Sequence, residues 1–201
     1  MTRLLLLLCL LLAPAAAAPA AEGDPAAPVE RLHGALLEAW RSGAEFPARV
    51  EALAPVVTDA LDLPLMARFT LGDAWSRLQP AQQQAFVELF RRLTVSSYAD
   101  RFDDYSGERF ETLETRQLPG GRALVRTALV KADGERISLD YLLHRPDDRW
   151  RIANILAKGV SDLAVKRSEY RSVIQREGFP ALKSQLEAKV RALGDGGDSP
   201  G

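Results

Sequence analysis

Four strand-like stretches, separated only by short turn signals, constrain this chain more than any other feature. Residues 110–118, 122–131, 136–145 and 149–157 are divided by Pro119-Gly120-Gly121, by Asp133-Gly134 and by Pro146-Asp147-Asp148, the residue types that turns select. A crossover between parallel strands takes a dozen or more residues, so links this short make the strands an antiparallel meander. The third stretch alternates, with Ile137, Leu139, Tyr141 and Leu143 on one face. The fourth puts Trp150, Ile152 and Leu156 on one side and Ala153, Ile155 and Ala157 on the other. That pattern reads as a strand covered on both faces.

Helical spacing flanks the meander on both sides. Val29, Leu32, Leu36 and Trp40 form one stripe, and Val50, Leu53, Ala54, Val57 and Leu61 a second. Asp62 caps a short third helix with Pro64 in its first turn, and Leu65, Met66 and Phe69 are expected on its buried side. Gln79-Pro80 opens a long helix to about Tyr105. Its stripes, Phe86, Phe90, Leu93 and Ser97 beside Val87, Val95, Tyr98, Phe102 and Tyr105, make an arc wide enough for deep burial or for lining a pocket. Gly159-Val160 leaves the sheet, and Ser161 caps a helix to Glu177 with Leu163, Tyr170, Val173 and Ile174 inward. Gly178 breaks that helix, and Phe179, Leu182, Leu186 and Val190 carry the last one. Helices, then sheet, then helices is an α+β order. The expected organisation is one domain over residues 21–193 and a disordered tail over 194–201.

The first 20 residues read as a cleaved signal peptide. Arg3 precedes a nine-residue apolar run over 4–12, too short for the roughly 20 residues of a membrane span. Small residues at Ala15 and Ala17, or at Ala18 and Ala20, suit the peptidase. Cys9, the one cysteine, lies inside the leucine run, whereas a lipid-anchor cysteine follows a small residue at its end. Cleavage removes Arg3 and Cys9, leaving 25 of the 26 basic residues against 27 acidic ones. The expected product is exported, without disulfides and without stable membrane anchoring, so its apolar core must hold it together. With no basic excess, nucleic acid is not an expected partner.

Motif chemistry is sparse. No G-x-S-x-G elbow, H-E-x-x-H, phosphate loop or paired-cysteine motif occurs, and no catalytic or metal-ligating residue or cofactor is assigned. His33 falls near the inner stripe of the first helix. His144, at a strand end, shares a strand face with Asp140, the one acid–base pair an enzyme reading could use. Asp103-Asp104 and Asp147-Asp148 point apart as adjacent residues do. Asp59 and Asp62 suit helix ends, and Arg91-Arg92 and Lys166-Arg167 read as solvated helix faces.

A further ordered set of residues carries a resemblance. Leu71-Gly72-Asp73-Ala74-Trp75, then Gln79-Pro80-Ala81-Gln82-Gln83, then Phe86, Phe90 and Tyr98 resemble the MlaC family, also called the toluene-tolerance or ABC-transporter auxiliary family. The likeness continues at Trp150, Ile155, Gly159-Val160-Ser161 and Gly178. The stretch from Gly159 to Ala164 looks like the hopanoid-associated HpnM branch. Gln79 departs from the pattern, where family members carry Ser or Thr as the helix cap. The resemblance implies a periplasmic carrier with an apolar cavity between sheet and helices, taking phospholipid or a hopanoid as ligand. Its implied partners are an inner-membrane MCE-domain/ABC transporter complex and an outer-membrane complex. The residues expected near the ligand are Phe90, Leu93, Leu129, Leu139, Tyr141, Ile155 and Val160, from the double stripe and the two-sided fourth strand. Two other readings stand beside it: a small exported enzyme using His144 and Asp140, and a docking subunit without ligand.

Overall fold

The computed structural model describes residues 23–101 and 105–195. The expected signal peptide, Cys9, Phe102, Asp103-Asp104 and residues 196–201 lie outside the described residues. Three helices come first, α1 (Ala27–Arg41), α2 (Phe46–Ala60) and α3 (Leu63–Leu71), then a 3-10 segment (Gly72–Arg77) and the long α4 (Pro80–Arg101). Five strands follow, β1 (Arg109–Leu118), β2 (Arg122–Val130), β3 (Arg136–His144), β4 (Arg151–Ala157) and β5 (Val160–Ser161), before α5 (Asp162–Glu177) and α6 (Phe179–Gly194). The sheet is antiparallel throughout, in the order β1-β2-β3-β4-β5, as the short turns require. The α+β class and the meander are as the sequence predicts. Among the described residues there are five strands rather than four, because Val160-Ser161 folds back on Leu156-Ala157 instead of leaving the sheet. At the other end, α6 continues through Gly194, where the tail was expected to start.

Helix ends follow the cap residues. Asp62 accepts from the Leu65 N–H at 3.0 Å, and Ser161 from the Ala164 N–H at 3.2 Å. Gln79 is no side-chain cap. Instead Gln82 reaches back to accept the Gln79 N–H at 2.9 Å, the returning half of a capping box.

Helix α3 corrects the sequence reading. Its inward stripe is Leu63, Met66, Ala67, Thr70 and Leu71, a clean i, i+3, i+4, i+7, i+8 series. Leu65 and Phe69 lie off that series and stay 38% and 42% exposed.

Helix α4 packs on α2, α3 and α6, while the sheet meets the helices mainly through β4, which touches α1, α2, α3 and α5. The Asp62 N–H donates to the Ile152 carbonyl at 2.9 Å, and this fastens the α2–α3 corner to the sheet. Phe86 and Phe90, 0% and 1% exposed, anchor the core, with Phe86 against Tyr170 and Phe179. Burying a side chain of this size contributes about 2–3 kcal/mol.

Strand β4 is not two-sided in the expected way. Leu142 pairs with Asn154 but Leu143 with Ile152, so Ala153 is an extra residue in a β-bulge. Cross-strand partners share a face. Ile152, Ile155 and Ala157 therefore all project to the face of Leu143, Tyr141 and Leu139. A second bulge, between Thr112 and Glu114, leaves Leu113 unpaired and 57% exposed.

Candidate functional site

The helix-covered face of the sheet is filled at one end and open at the other. Ala123, Val125, Tyr141, Leu143 and Ile152 are each 3% exposed or less. Further along the same face, Leu129, Ile137, Leu139 and Ile155 are only partly buried, and Ala157 is exposed. The register puts Leu129 opposite Ile137, Leu139 opposite Ala157, and Ala157 opposite Val160. A continuous apolar strip thus runs across β2 to β5 without the cover its other end receives. The opposite face carries ion pairs, Arg136–Glu111 at 2.6 Å and Arg126–Glu114 at 3.1 Å, so an apolar ligand has one face available.

Three polar side chains stand between the filled and open halves. His33 of α1 lies 2.8 Å through Nε2 from the Tyr141 hydroxyl and stacks on Phe110, with ring centroids 3.8 Å apart. Burial pulls the His33 pKa down to about 4 and keeps the ring neutral. Burial, with neighbouring Tyr98 as the second cause, pushes the Tyr141 phenol up. Burial also raises Tyr98, followed by the Asp162 charge. Tyr98 on α4 is thus close enough to Tyr141 on β3 and to Asp162 at the start of α5 to interact with each. All three rings stay neutral, so this wall presents polar groups without charge.

The seven residues expected near a ligand fall into two groups. Leu129, Leu139, Ile155 and Val160 belong to the open strip, with Val160 58% exposed at its end. Tyr141 sits at the boundary. Phe90 and Leu93 are 1% and 3% exposed within the packed core. Ile137 and Ala157 share the strip and were not singled out. The alternation of β3 marks the first, while the bulge hides the second.

His144 and Asp140 do not form the pair the enzyme reading needs. His144 Nε2 meets Asp62 Oδ2 at 2.8 Å, whereas Asp140 faces Arg126 at 3.9 Å. Asp62 also caps α3, which makes the His144 contact a strut between sheet and helix. Two concavities lie elsewhere. One, of about 270 Å³, lies beside Trp150 and the Arg31–Asp59–Arg149 pairs. The other, of about 210 Å³, lies between the 3-10 segment and α5. Among the described residues no cluster of His, Cys, Asp and Glu could hold a metal, and no helix is long and apolar enough to cross a membrane.

Fold and strip together define an α+β domain with a half-covered apolar sheet. The MlaC protein family model matches residues 32–188, and the chain belongs to that family. It is 22% identical over 129 residues to the toluene tolerance protein ttg2D of Pseudomonas putida, covering 64% of this chain and 60% of that protein. It is 20% identical over 121 residues to the intermembrane phospholipid transport system binding protein MlaC of Haemophilus influenzae, covering 58% of this chain and 56% of that one. The chain thus spans less than two thirds of either relative. Among solved structures, it resembles the phospholipid-binding protein from Ralstonia solanacearum in complex with a phospholipid. That likeness has a TM-score of 0.75 and 20% identity, over 85% of this chain and 99% of the other, and it shows the shared fold.

Proposed function

We propose that this protein is a periplasmic lipid carrier that holds acyl chains against the open strip of Leu129, Ile137, Leu139, Ile155 and Ala157. The observation that carries this reading is the contrast within one sheet face. Apolar residues beside a tightly covered half are only partly covered, Leu139 and Ile155 touching the core at its edge. Each methylene moved from water to an apolar site gains about 0.8 kcal/mol, so some thirty methylenes amount to on the order of 20 kcal/mol. A carrier must offer apolar surface of that order, and it needs no catalytic group. The names of the Haemophilus and Ralstonia proteins support phospholipid as the ligand class.

Shuttling between membranes for an inner-membrane MCE-domain/ABC transporter complex and an outer-membrane complex is the role we assign to such a carrier. Export by a cleaved signal peptide is part of the same reading. The residues over Gly159 to Ala164 that resemble the HpnM branch make a hopanoid the second ligand to look for. The test is a mass spectrum of the organic extract of protein purified from its own periplasm. Stoichiometric phospholipid supports the main reading and a hopanoid the second. A protein that is empty as isolated, and takes up neither lipid when offered, overturns both.

A further inference from the structure

Three arginines with no carboxylate partner converge on the cleft between the 3-10 segment and α5. The cleft, about 210 Å³, is lined by Gly72, Asp73 and Arg77 on one wall and by Arg167 and Arg171 on the other, with no strand residue among its walls. Several other arginines do sit against acids: Arg31 and Arg149 on Asp59, Arg91 on Glu88, Arg126 on Glu114, Arg136 on Glu111. Among the described residues, Arg77, Arg167 and Arg171 form no ion pair. The chain as a whole is slightly acidic, at -1, so a general basic excess does not explain the cluster. Like charges lining one cleft repel.

Arg167 is held in place. Its Nη1 donates to the Phe69 carbonyl at 3.4 Å, and its guanidinium carbon lies 4.9 Å from the centre of the Phe69 ring. It also occupies space that a side chain at position 72 would need, since a Cβ there would lie 3.0 Å from Nη2. Gly72 has a φ of 54°, which further favours glycine. The guanidinium is thus ordered before any ligand arrives, which lowers the entropy lost on binding.

We propose that this cleft binds a phosphoryl group. Three guanidiniums against one carboxylate, Asp73, leave two unbalanced positive charges and more donors than the two oxygens of a carboxylate can take. The non-bridging oxygens and the one to two negative charges of a phosphate ester match both counts. This inference does not rest on the acyl-chain reading, because the cleft and the strip share no residue. The phosphoryl group is either part of a lipid headgroup at a membrane surface or a free phosphate ester.

The test is an NMR titration of the isotope-labelled protein at low ionic strength with inorganic phosphate, with glycerol phosphate, and with acetate as the carboxylate control. The expected result is saturable shifts at the Gly72 and Ala74 amides and the Arg167 Nε–H. Binding should be at least tenfold weaker in the Arg77→Gln/Arg171→Gln double variant, at an unchanged melting temperature. Gly72→Ala should weaken it with both of those arginines intact. Sedimentation with phosphatidylglycerol vesicles but not phosphatidylcholine vesicles, lost in the double variant, gives the headgroup as the source. Binding of soluble esters alone gives the free ester. Absence of saturable shifts, shifts kept in the double variant, or acetate binding as tight as phosphate overturns the proposal.

Discussion

His33 Nε2 and the Tyr141 hydroxyl meet at 2.8 Å across 108 residues of sequence, joining α1 to the sheet where its filled and open halves meet. The ring is neutral because it is buried, with its pKa at about 4 rather than 6.5. The unfolded chain takes up a proton as pH falls through 6.5, and the folded chain does so only near 4. Stability is therefore complete above 6.5 and declines across that window on acidification. The loss attributable to His33 is at most about 3 kcal/mol. Urea denaturation at pH 7 and pH 4.5 should show a smaller acid-induced loss in His33→Gln than in the parent. Equal losses in the two proteins would sink this account.

Asp62 bonds the Leu65 N–H with one carboxylate oxygen and His144 with the other. Asp62→Ala should cost about 1–2 kcal/mol, the scale of a lost cap with its hydrogen bond. Asp62→Asn retains the capping oxygen and should cost less than half as much. His144→Ala should leave the extracted lipid unchanged, because this side chain is tied to Asp62 rather than to the strip. Loss of lipid in His144→Ala would contradict that placement.

Charges placed on the two halves of the sheet face should act differently. Val125 is fully buried in the filled half, and Val125→Asp should cost several kcal/mol by burying an unpaired carboxylate. Leu139→Asp lies in the open half, where the carboxylate stays hydrated. It should fold with a modest loss of stability and purify without lipid. A folded Leu139→Asp protein carrying its normal lipid complement would be incompatible with the proposed site.

The aromatic residues of α3 and α4 give a third contrast. Phe86→Ala should cost about 3–5 kcal/mol, as large core truncations do. Phe69→Ala, at a position 42% exposed, should cost about 1 kcal/mol or less, mostly its contact with the Arg167 guanidinium. Melting temperatures of the two variants measured side by side settle the ranking.

The strands and their antiparallel order were legible because turn residues punctuate them and β3 alternates without interruption. The caps at Asp62 and Ser161 were legible because capping is local chemistry. The inward side of α3 was misread because the large residues Leu65 and Phe69 outweighed the spacing of Leu63, Met66, Ala67, Thr70 and Leu71. The partner of His144 is 82 residues away and could not be reached from strand periodicity, which offered Asp140 instead. The sequence also marks neither bulge, since Leu113 and Ala153 are ordinary strand residues. The open half of the sheet was legible only in part. Which apolar positions lack cover depends on where the helices end, and that is fixed by tertiary packing. The cleft arginines were visible only as Lys166-Arg167, a pair that the helix splits between a bond to Asp162 and a place in the cleft.

The extra residue at Ala153 gives β4 something like a reading frame. Upstream of it the strand is in phase with Ile152 and the packed interior. Downstream it is in phase with Ile155 and Ala157, on the exposed strip. Were Ala153 to take a regular place in the ladder opposite Leu142, the second phase would shift by one, turning Asn154 and Leu156 toward the helices and Ile155 and Ala157 toward solvent. Deleting Ala153 would instead make Leu143–Ile152 and Leu142–Asn154 consecutive pairs and leave Ile155 and Ala157 on their face. One inconspicuous alanine is thus the slack between the two halves of the sheet face, and a single-codon deletion there should do less harm to the strip than the same deletion among the paired residues at 155–157.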